Sequence, residues 1–180
     1  MITLVIGGPD SGKSLFAESL ADTVNYVHKY YIATMKIADK DAEDRRNRHV
    51  KMREGKGFET LEIPYRIDDA VKFMQSPENS VVLLECAANL VGNAMHEVEW
   101  KEKLEQGKQK DEDVFICHIV NLVTDLADKV GRLIVVSSEY EMTDAAVCED
   151  AETKLYVKLL HAVNLKLLSI ADRVYERKDE

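Results

Sequence analysis

Long apolar runs are missing from this chain. No stretch approaches the roughly 18 uninterrupted apolar residues that a membrane-crossing helix needs. The N-terminus has no basic stretch followed by an apolar run and a small-residue cleavage site, so a cytoplasmic protein with no membrane span is expected. Cysteine is scarce: Cys86, Cys117 and Cys148 stand at wide spacing with no CxxC pair, which argues against zinc or a redox dithiol and for buried, reduced thiols. Positive charge is in deficit as well. With 24 Lys and Arg against 33 Asp and Glu, the net charge of −9 repels nucleic acid and anionic membrane surfaces at long range, so no nucleic-acid partner is expected. Any anionic ligand must therefore meet a local positive site. Tryptophan occurs once, as Trp100 beside a charged tract, and reads as a packing anchor.

No internal repeat or low-complexity tract is visible. At 180 residues and 46% hydrophobic side chains the chain can bury one substantial core but not two, so residues 1–180 read as a single domain. The apolar run ITLVI at 2–6 suits a strand buried on both faces. A helix follows over 15–24 with Leu15, Phe16, Leu20 and Val24 on one side. YYIAT at 30–34 is a second strand, and ETLEIP a short strand ended by Pro64. DDAVKFM suggests a helix opened by Asp68, and SVVLLEC at 80–86 another buried strand. The polar tract 100–113 reads as an exposed helix end or a mobile connection. Beyond it a helix carries Ile116, Ile119, Val120, Val123 and Ala127 at three- and four-residue steps. RLIVVSS at 132–138 is a strand, Tyr156, Leu160, Val163, Leu167 and Ile170 mark one helix face, and DRVYER adds a last strand. Repeated alternation of strand and helix implies an α/β domain in three layers, with a mostly parallel sheet flanked by helices.

Within that frame Gly7, Gly8, Pro9, Asp10, Ser11, Gly12, Lys13 and Ser14 satisfy G-x-x-x-x-G-K-[ST] between a strand and a helix, the setting a P-loop requires. Glycines let the backbone turn its N–H groups around phosphate oxygens, and the start of the helix adds the positive end of its dipole. Lys13 is placed to reach the β- and γ-phosphates and the Ser14 hydroxyl to coordinate Mg2+. The metal also needs an acid, normally at the end of a buried strand. Glu85, closing VVLLE, supplies one for the metal or for an acceptor hydroxyl; Glu139, after the strand at 133–138, is a weaker candidate for the same rim.

The stretch DRRNRHVKMREGKGFETLE at 44–62 holds, between Arg45 and Lys56, six Lys or Arg against one acid, a local excess of +5 in a protein of net −9. Such a cluster can neutralise a triphosphate. His49 sits in its middle, where neighbouring cations favour the neutral imidazole that nucleophilic attack at phosphorus requires. Arg45, His49 and Arg53 follow at four-residue steps and share one face of a helix. A basic helical face is more often merely solvated, and this reading stands beside the functional one. His28, His96, His118 and His161 lack metal-ligand spacing and read as structural or surface residues.

GGPDSGKS, YIAT, R-x-x-x-H-x-x-x-R across Arg45, His49 and Arg53, F-x-T-x-E across Phe58, Thr60 and Glu62, then LLEC and Asn93, occur in this order. Together they resemble the bifunctional adenosylcobinamide kinase / adenosylcobinamide-phosphate guanylyltransferase family of cobalamin biosynthesis. The resemblance implies a P-loop NTPase-like fold that phosphorylates adenosylcobinamide with ATP or GTP. It also implies transfer of GMP from GTP, through a guanylylated histidine, to adenosylcobinamide phosphate, giving adenosylcobinamide-GDP. On that likeness His49 is the nucleophile, Lys13 and Glu85 are catalytic, and Ser14 with Glu85 holds the metal. The same likeness assigns nucleotide contact to the loop Gly7–Ser14, to Thr34, Met35 and Lys36, to Arg45, to Val50, Lys51, Met52 and Arg53, and to Glu62 and Glu85. It further implies a homo-oligomer, a trimer.

The second half departs from the pattern. SSEYEM keeps Glu139 but places Glu141 where glycine is expected, and TDAAVC replaces a Gly-x-x-Pro segment. The late helix keeps Asn164 but shows KL and His161 where an Arg-Asp pair and a glycine belong, and the usual apolar tail after DRVYER is missing. A glutamate in place of glycine forbids easy positive φ and adds charge. Two other readings therefore stay open: another P-loop small-molecule kinase or nucleotidyltransferase, and a nucleotide-binding protein without catalysis.

Overall fold

The computed structural model describes residues 1–23, 25–36, 40–139 and 150–177, apart from the side chains of residues 41, 42, 45, 49 and 52. Six parallel strands form one sheet: β1 (Ile2–Gly7), β2 (His28–Ala33), β3 (Phe58–Glu62), β4 (Ser80–Glu85), β5 (Arg132–Ser138) and β6 (Arg173–Arg177), in the order β3-β2-β4-β5-β1-β6. Every residue of β1 is buried, and so is all of β4 and β5 except the last residue of each, as expected of apolar runs covered on both faces. The edge strand β3 exposes Glu59, Thr60 and Glu62. The three-layer parallel α/β architecture expected from the alternation is present.

The helices are α1 (Lys13–Asp22), α2 (Lys40–Arg53), α3 (Ala87–Met95), α4 (Val98–Glu105), α5 (Gln109–Ala127) and α6 (Ala151–Ile170). Since two strands, β4 and β5, stand between β1 and β2, the β1–α1–β2 crossover carries α1 across β5 and β4. The face α1 buries is not the expected one. Ala17 and Ala21, with Lys13 and Glu18, are buried, while Leu15 is exposed and Phe16 and Leu20 are half-buried. Small side chains at the closest approach let the helix lie tight on the sheet, and Phe16 instead meets Tyr175 of β6 edge-to-face at 5.2 Å. Val24 lies outside the described residues.

Further expectations are sharpened or corrected. The polar tract 100–113 is, of its two readings, a largely exposed helix end: α4 and the first turns of α5 meet at Gly107, whose φ of 64° makes the turn. Trp100 and Leu104, four apart, anchor α4, and Trp100 packs edge-to-face on Phe115 at 5.3 Å and donates from Nε1 to the Tyr65 hydroxyl at 3.2 Å. The segment opened by Asp68 is a tight 3-10 turn over Ile67–Phe73 rather than an α-helix, with Arg66 preceding it. Cys117 is exposed on α5; Cys86 is buried, and Cys148 lies outside the described residues. The periodic faces hold well elsewhere. Leu160, Val163 and Leu167 of α6 and Ile116, Ile119, Val123 and Ala127 of α5 are buried, with Phe115, Leu122 and Leu126 added, although Val120 is only half-buried and Ile170 is exposed.

Gly7, which ends β1 and opens the candidate phosphate loop, has no room for a side chain. A Cβ there would lie 2.3 Å from the Arg177 carbonyl oxygen and 2.8 Å from Ser11 Oγ. Gly7→Ala must therefore push β6 away from β1 or deform the loop. It is expected to cost about 1–3 kcal/mol, as overpacking of a filled interior does, read as a lower urea midpoint at unchanged slope.

Candidate active site

The carboxyl ends of β1, β2 and β4 converge on one rim, where open parallel sheets present their ligand crevice. Between β1 and α1 the loop 8–12 reverses through positive φ at Asp10 (59°) and Gly12 (70°); aspartate and glycine are among the residues that tolerate this region. α1 then starts at Lys13, so its first turn of unpaired N–H groups faces the loop. Lys13 is buried and its ammonium donates to the Gly8 carbonyl at 2.7 Å, folding the side chain back over the loop. Ser11 Oγ is buried without a hydrogen-bond partner. Glu139 is exposed, and its backbone N–H donates to the Gly7 carbonyl at 3.0 Å.

Glu85 is the junction of the site. Ser14 donates its hydroxyl to Glu85 Oε1 at 2.8 Å, and the other carboxylate oxygen is buried without a partner. Burial pushes the Glu85 carboxyl up to about 7, against the opposing pull of the Ser14 hydroxyl and the Lys13 ammonium. A hydroxyl and a carboxylate with an idle oxygen, side by side below a phosphate loop, suit Mg2+, which takes one or two protein oxygens and completes its shell with phosphate and water. The neighbouring Cys86 is no nucleophile: burial pushes its thiol up to about 12.

On the other side of Glu85 opens a cavity of about 280 Å3 lined by Tyr31, Ala33, Met35, Arg46, Arg53, Glu62, Pro64 and Glu85. The basic stretch reaches it. Arg53, the last residue of α2, is buried at 6% exposure with its guanidinium carbon 3.4 Å from the Tyr31 ring centre. Its Nε and Nη1 have no hydrogen-bond partner, so a buried cation stands with idle donors at the cavity. Arg46 pairs with Glu62 on the outer wall. The reading of the whole basic face as merely solvated is thus wrong for Arg53.

The candidate residues divide in this geometry. The loop Gly7–Ser14, Glu85, Met35, Arg53 and Glu62 gather at the rim. Thr34 is buried and committed to structure: its hydroxyl donates toward the Glu85 and Cys86 carbonyls at 2.9 and 3.0 Å and accepts from Cys86 N–H at 2.7 Å. Lys36 is exposed and pairs with Glu97 at 3.3 Å, and Val50 and Lys51 are exposed and do not line the cavity. The side chains of Arg45, His49 and Met52 lie outside the described ones; His49 occupies the backbone position one turn before Arg53 on α2. Sequence reasoning missed Tyr31 and Arg46 as cavity residues. Nothing separates Tyr31 from its strand neighbours except alternation, whereas Arg46 was signalled by the basic run itself. Lys56, counted in that run, is occupied elsewhere, with Glu18 at 2.5 Å.

An all-parallel sheet, a glycine-rich loop running into a Lys-Ser helix start, and a strand-end carboxylate bound to that serine define a P-loop nucleotide-binding α/β protein. The family model described as "Cobinamide kinase / cobinamide phosphate guanyltransferase" matches residues 3–177, and the chain belongs to that family. It is 29% identical over 178 residues to the bifunctional adenosylcobalamin biosynthesis protein CobU of Escherichia coli K12, covering 97% of this chain and 94% of that protein. It is 26% identical over 176 residues to the protein of the same name from Salmonella typhimurium, with the same coverage of 97% and 94%. Among solved structures, the flagellar accessory protein FlaH from Methanocaldococcus jannaschii superposes with a TM-score of 0.46 at 13% identity, covering 97% of this chain and 70% of that one.

The raised Glu85 carboxyl has a signed consequence for the ligand-free protein. From pH 4.5, the ordinary value, to about 7 the folded state holds a proton that the unfolded chain has released, so this group makes stability fall with rising pH across that window. Glu85→Gln should remove that slope and raise stability above pH 7 by about 3 kcal/mol, seen in melting curves between pH 5 and 8 without metal. The same variant should lose Mg2+-dependent phosphoryl transfer, a stabilising change that costs function.

Proposed function

We propose that this protein phosphorylates the aminopropanol hydroxyl of adenosylcobinamide with ATP or GTP, then transfers GMP from GTP to the resulting phosphate, giving adenosylcobinamide-GDP. The observation that carries the reading is the pairing of two half-sites across Glu85: a phosphate loop with Ser14 on one side, and a cavity with the idle Arg53 guanidinium on the other. Family membership over residues 3–177 supplies the two reactions.

In the kinase reaction the loop N–H groups and the α1 dipole receive the phosphate chain, and Lys13 exchanges the Gly8 carbonyl for a phosphate oxygen. Ser14 and Glu85 would hold Mg2+, which when bound would supply positive charge against the phosphate oxygens. Where it is not engaged by the metal, the Glu85 carboxylate is the group beside the loop placed to take the proton of an acceptor hydroxyl. In the guanylyl reaction a nitrogen of His49 attacks the α-phosphorus of GTP; the N–P bond forms, the P–O bond to the β-phosphate breaks, and pyrophosphate leaves. A phosphate oxygen of adenosylcobinamide phosphate then attacks the same phosphorus and the N–P bond breaks, returning the imidazole. Arg53, held flat on Tyr31, offers its free N–H donors to the charge that develops. The Glu62 carboxylate on the cavity wall suits the N–H donors of guanine, with Met35 beside it as apolar cover. Assembly as a homotrimer rests on the family resemblance, and a cytoplasmic setting on the composition of the chain; no helix among the described residues is long and apolar enough to cross a membrane.

Incubation with α-labelled GTP and Mg2+ tests the guanylyl half. Label should stay with wild-type protein in denaturant, be lost in acid, and be absent from His49→Ala. Binding of GTP without any such label would overturn it. Adenosylcobinamide with γ-labelled nucleotide decides the kinase half separately, and Lys13→Ala should abolish that transfer.

A further inference from the structure

α1 faces the sheet with Ala17 and Ala21, yet between them stands Glu18, a carboxylate only 3% exposed. Packing alone would put an apolar residue there, because a buried carboxylate is costly unless paired. Its partner is Lys56, whose ammonium lies 2.5 Å from Glu18 Oε2. Lys56 belongs to the turn that follows α2, held between Gly55 (φ 79°) and Gly57 (φ 75°), and its N–H donates to the Arg53 carbonyl at 3.0 Å. The pair therefore joins the P-loop helix, one turn after Ser14, to the end of the helix that carries His49. Among the described residues it is the sole ion pair between α1 and the α2 unit, residues 40–57.

We propose that the Glu18–Lys56 pair is a strut that sets the distance between the phosphate loop and His49, and so acts on guanylyl transfer but not on phosphoryl transfer. Neither side chain lines the cavity, so both are positioning residues. The assignment of chemistry rests on the function proposed above. Phosphoryl transfer needs the loop, Ser14 and Glu85, on β1, α1 and β4, which the packing of α1 on the sheet and the Ser14–Glu85 bond keep together whether or not α2 is tied to α1. Guanylyl transfer needs in addition that α2 present His49 to the α-phosphorus of a nucleotide whose phosphates lie in the loop, and small misplacements of a reacting group are expensive. Two glycines at positive φ flank the lysine, so the turn itself offers little resistance once the pair is gone.

The decisive variant is the double substitution Glu18→Gln with Lys56→Met, which removes the link without leaving a buried charge alone. His49 labelling from α-labelled GTP should slow by about 10-fold or more, while γ-phosphoryl transfer to adenosylcobinamide stays close to the wild-type rate. Lys56→Arg, which keeps a cation within reach of Glu18, should retain labelling close to the wild-type rate. Amide exchange adds a readout free of the chemistry: amides of residues 46–53 should exchange about 10-fold faster in the double variant, with those of α5 unchanged. Equal loss of both transfers, undiminished labelling, or unchanged exchange at 46–53 would overturn the strut. If wild-type protein takes no label, the guanylyl reading fails instead, and the exchange data alone decide whether the pair holds α2.

Discussion

One hydrogen bond, from Ser14 Oγ to Glu85 Oε1 at 2.8 Å, fixes what the fold must achieve. Its partners are far apart in the chain, Ser14 in the helix that follows β1 and Glu85 at the end of β4, and those two strands are not neighbours, since β5 runs between them. The contact is possible because the first crossover carries α1 over β5 and β4, which lays Ser14, in the first turn of that helix, above the end of β4. Tight approach of helix to sheet is then obligatory, and alanine at positions 17 and 21 permits it. The misjudged apolar face of α1 follows from this. Leu15 and Phe16 look like core residues by size, but a helix that must bring a serine to a carboxylate cannot be held off the sheet by them.

The same constraint explains the distribution of charge. A chain of net −9 binds an anion only where its field is locally reversed, and the reversal here is built from few side chains. Lys13 and Arg53 lie on opposite sides of Glu85, both buried, and both lower its carboxyl while burial raises it. Neither cation is spent on a strong internal partner: Lys13 has a loop carbonyl, Arg53 an aromatic face. By contrast Arg46 and Lys56 are neutralised by Glu62 and Glu18. Of the basic stretch that drew attention in the sequence, then, Arg53 is the described cation left with buried, unpaired donors.

The sequence made the sheet legible because its central strands are apolar runs bounded by glycine or acidic residues, and such runs have one stable home. The phosphate loop was legible because its spacing encodes backbone geometry. Lys36, Val50 and Lys51 were less so: they lie beside residues that do reach the rim, but strand and helix geometry turns neighbours in different directions. Trp100 and Leu104 show the opposite failure. Two buried residues in a polar tract suffice to anchor a helix, and a charged composition hides them. Tyr31 and Glu18 could not be read at all, since a tyrosine in a strand and a glutamate in a helix acquire meaning only from what is packed against them.

The rim is also stitched together by side chains that touch no ligand site. The Thr34 hydroxyl binds the end of β2 to the end of β4. Asn93, from α3, donates to the Thr34 carbonyl at 2.7 Å and the Pro64 carbonyl at 2.8 Å, joining the exits of β2 and β3. Asn164 of α6 accepts from Ser137 Oγ at 2.6 Å and donates to the Ser138 carbonyl at 3.0 Å, fixing the exit of β5, which the Glu139 N–H ties to Gly7. These bonds tie the strand ends to one another and to the helices where the ladders run out. A site that must hold a phosphate chain and a nucleophile in fixed register gains from strand ends that cannot splay. Thr34 and Asn93 thus hold the frame that sets Ser14, Glu85 and Arg53 around one rim.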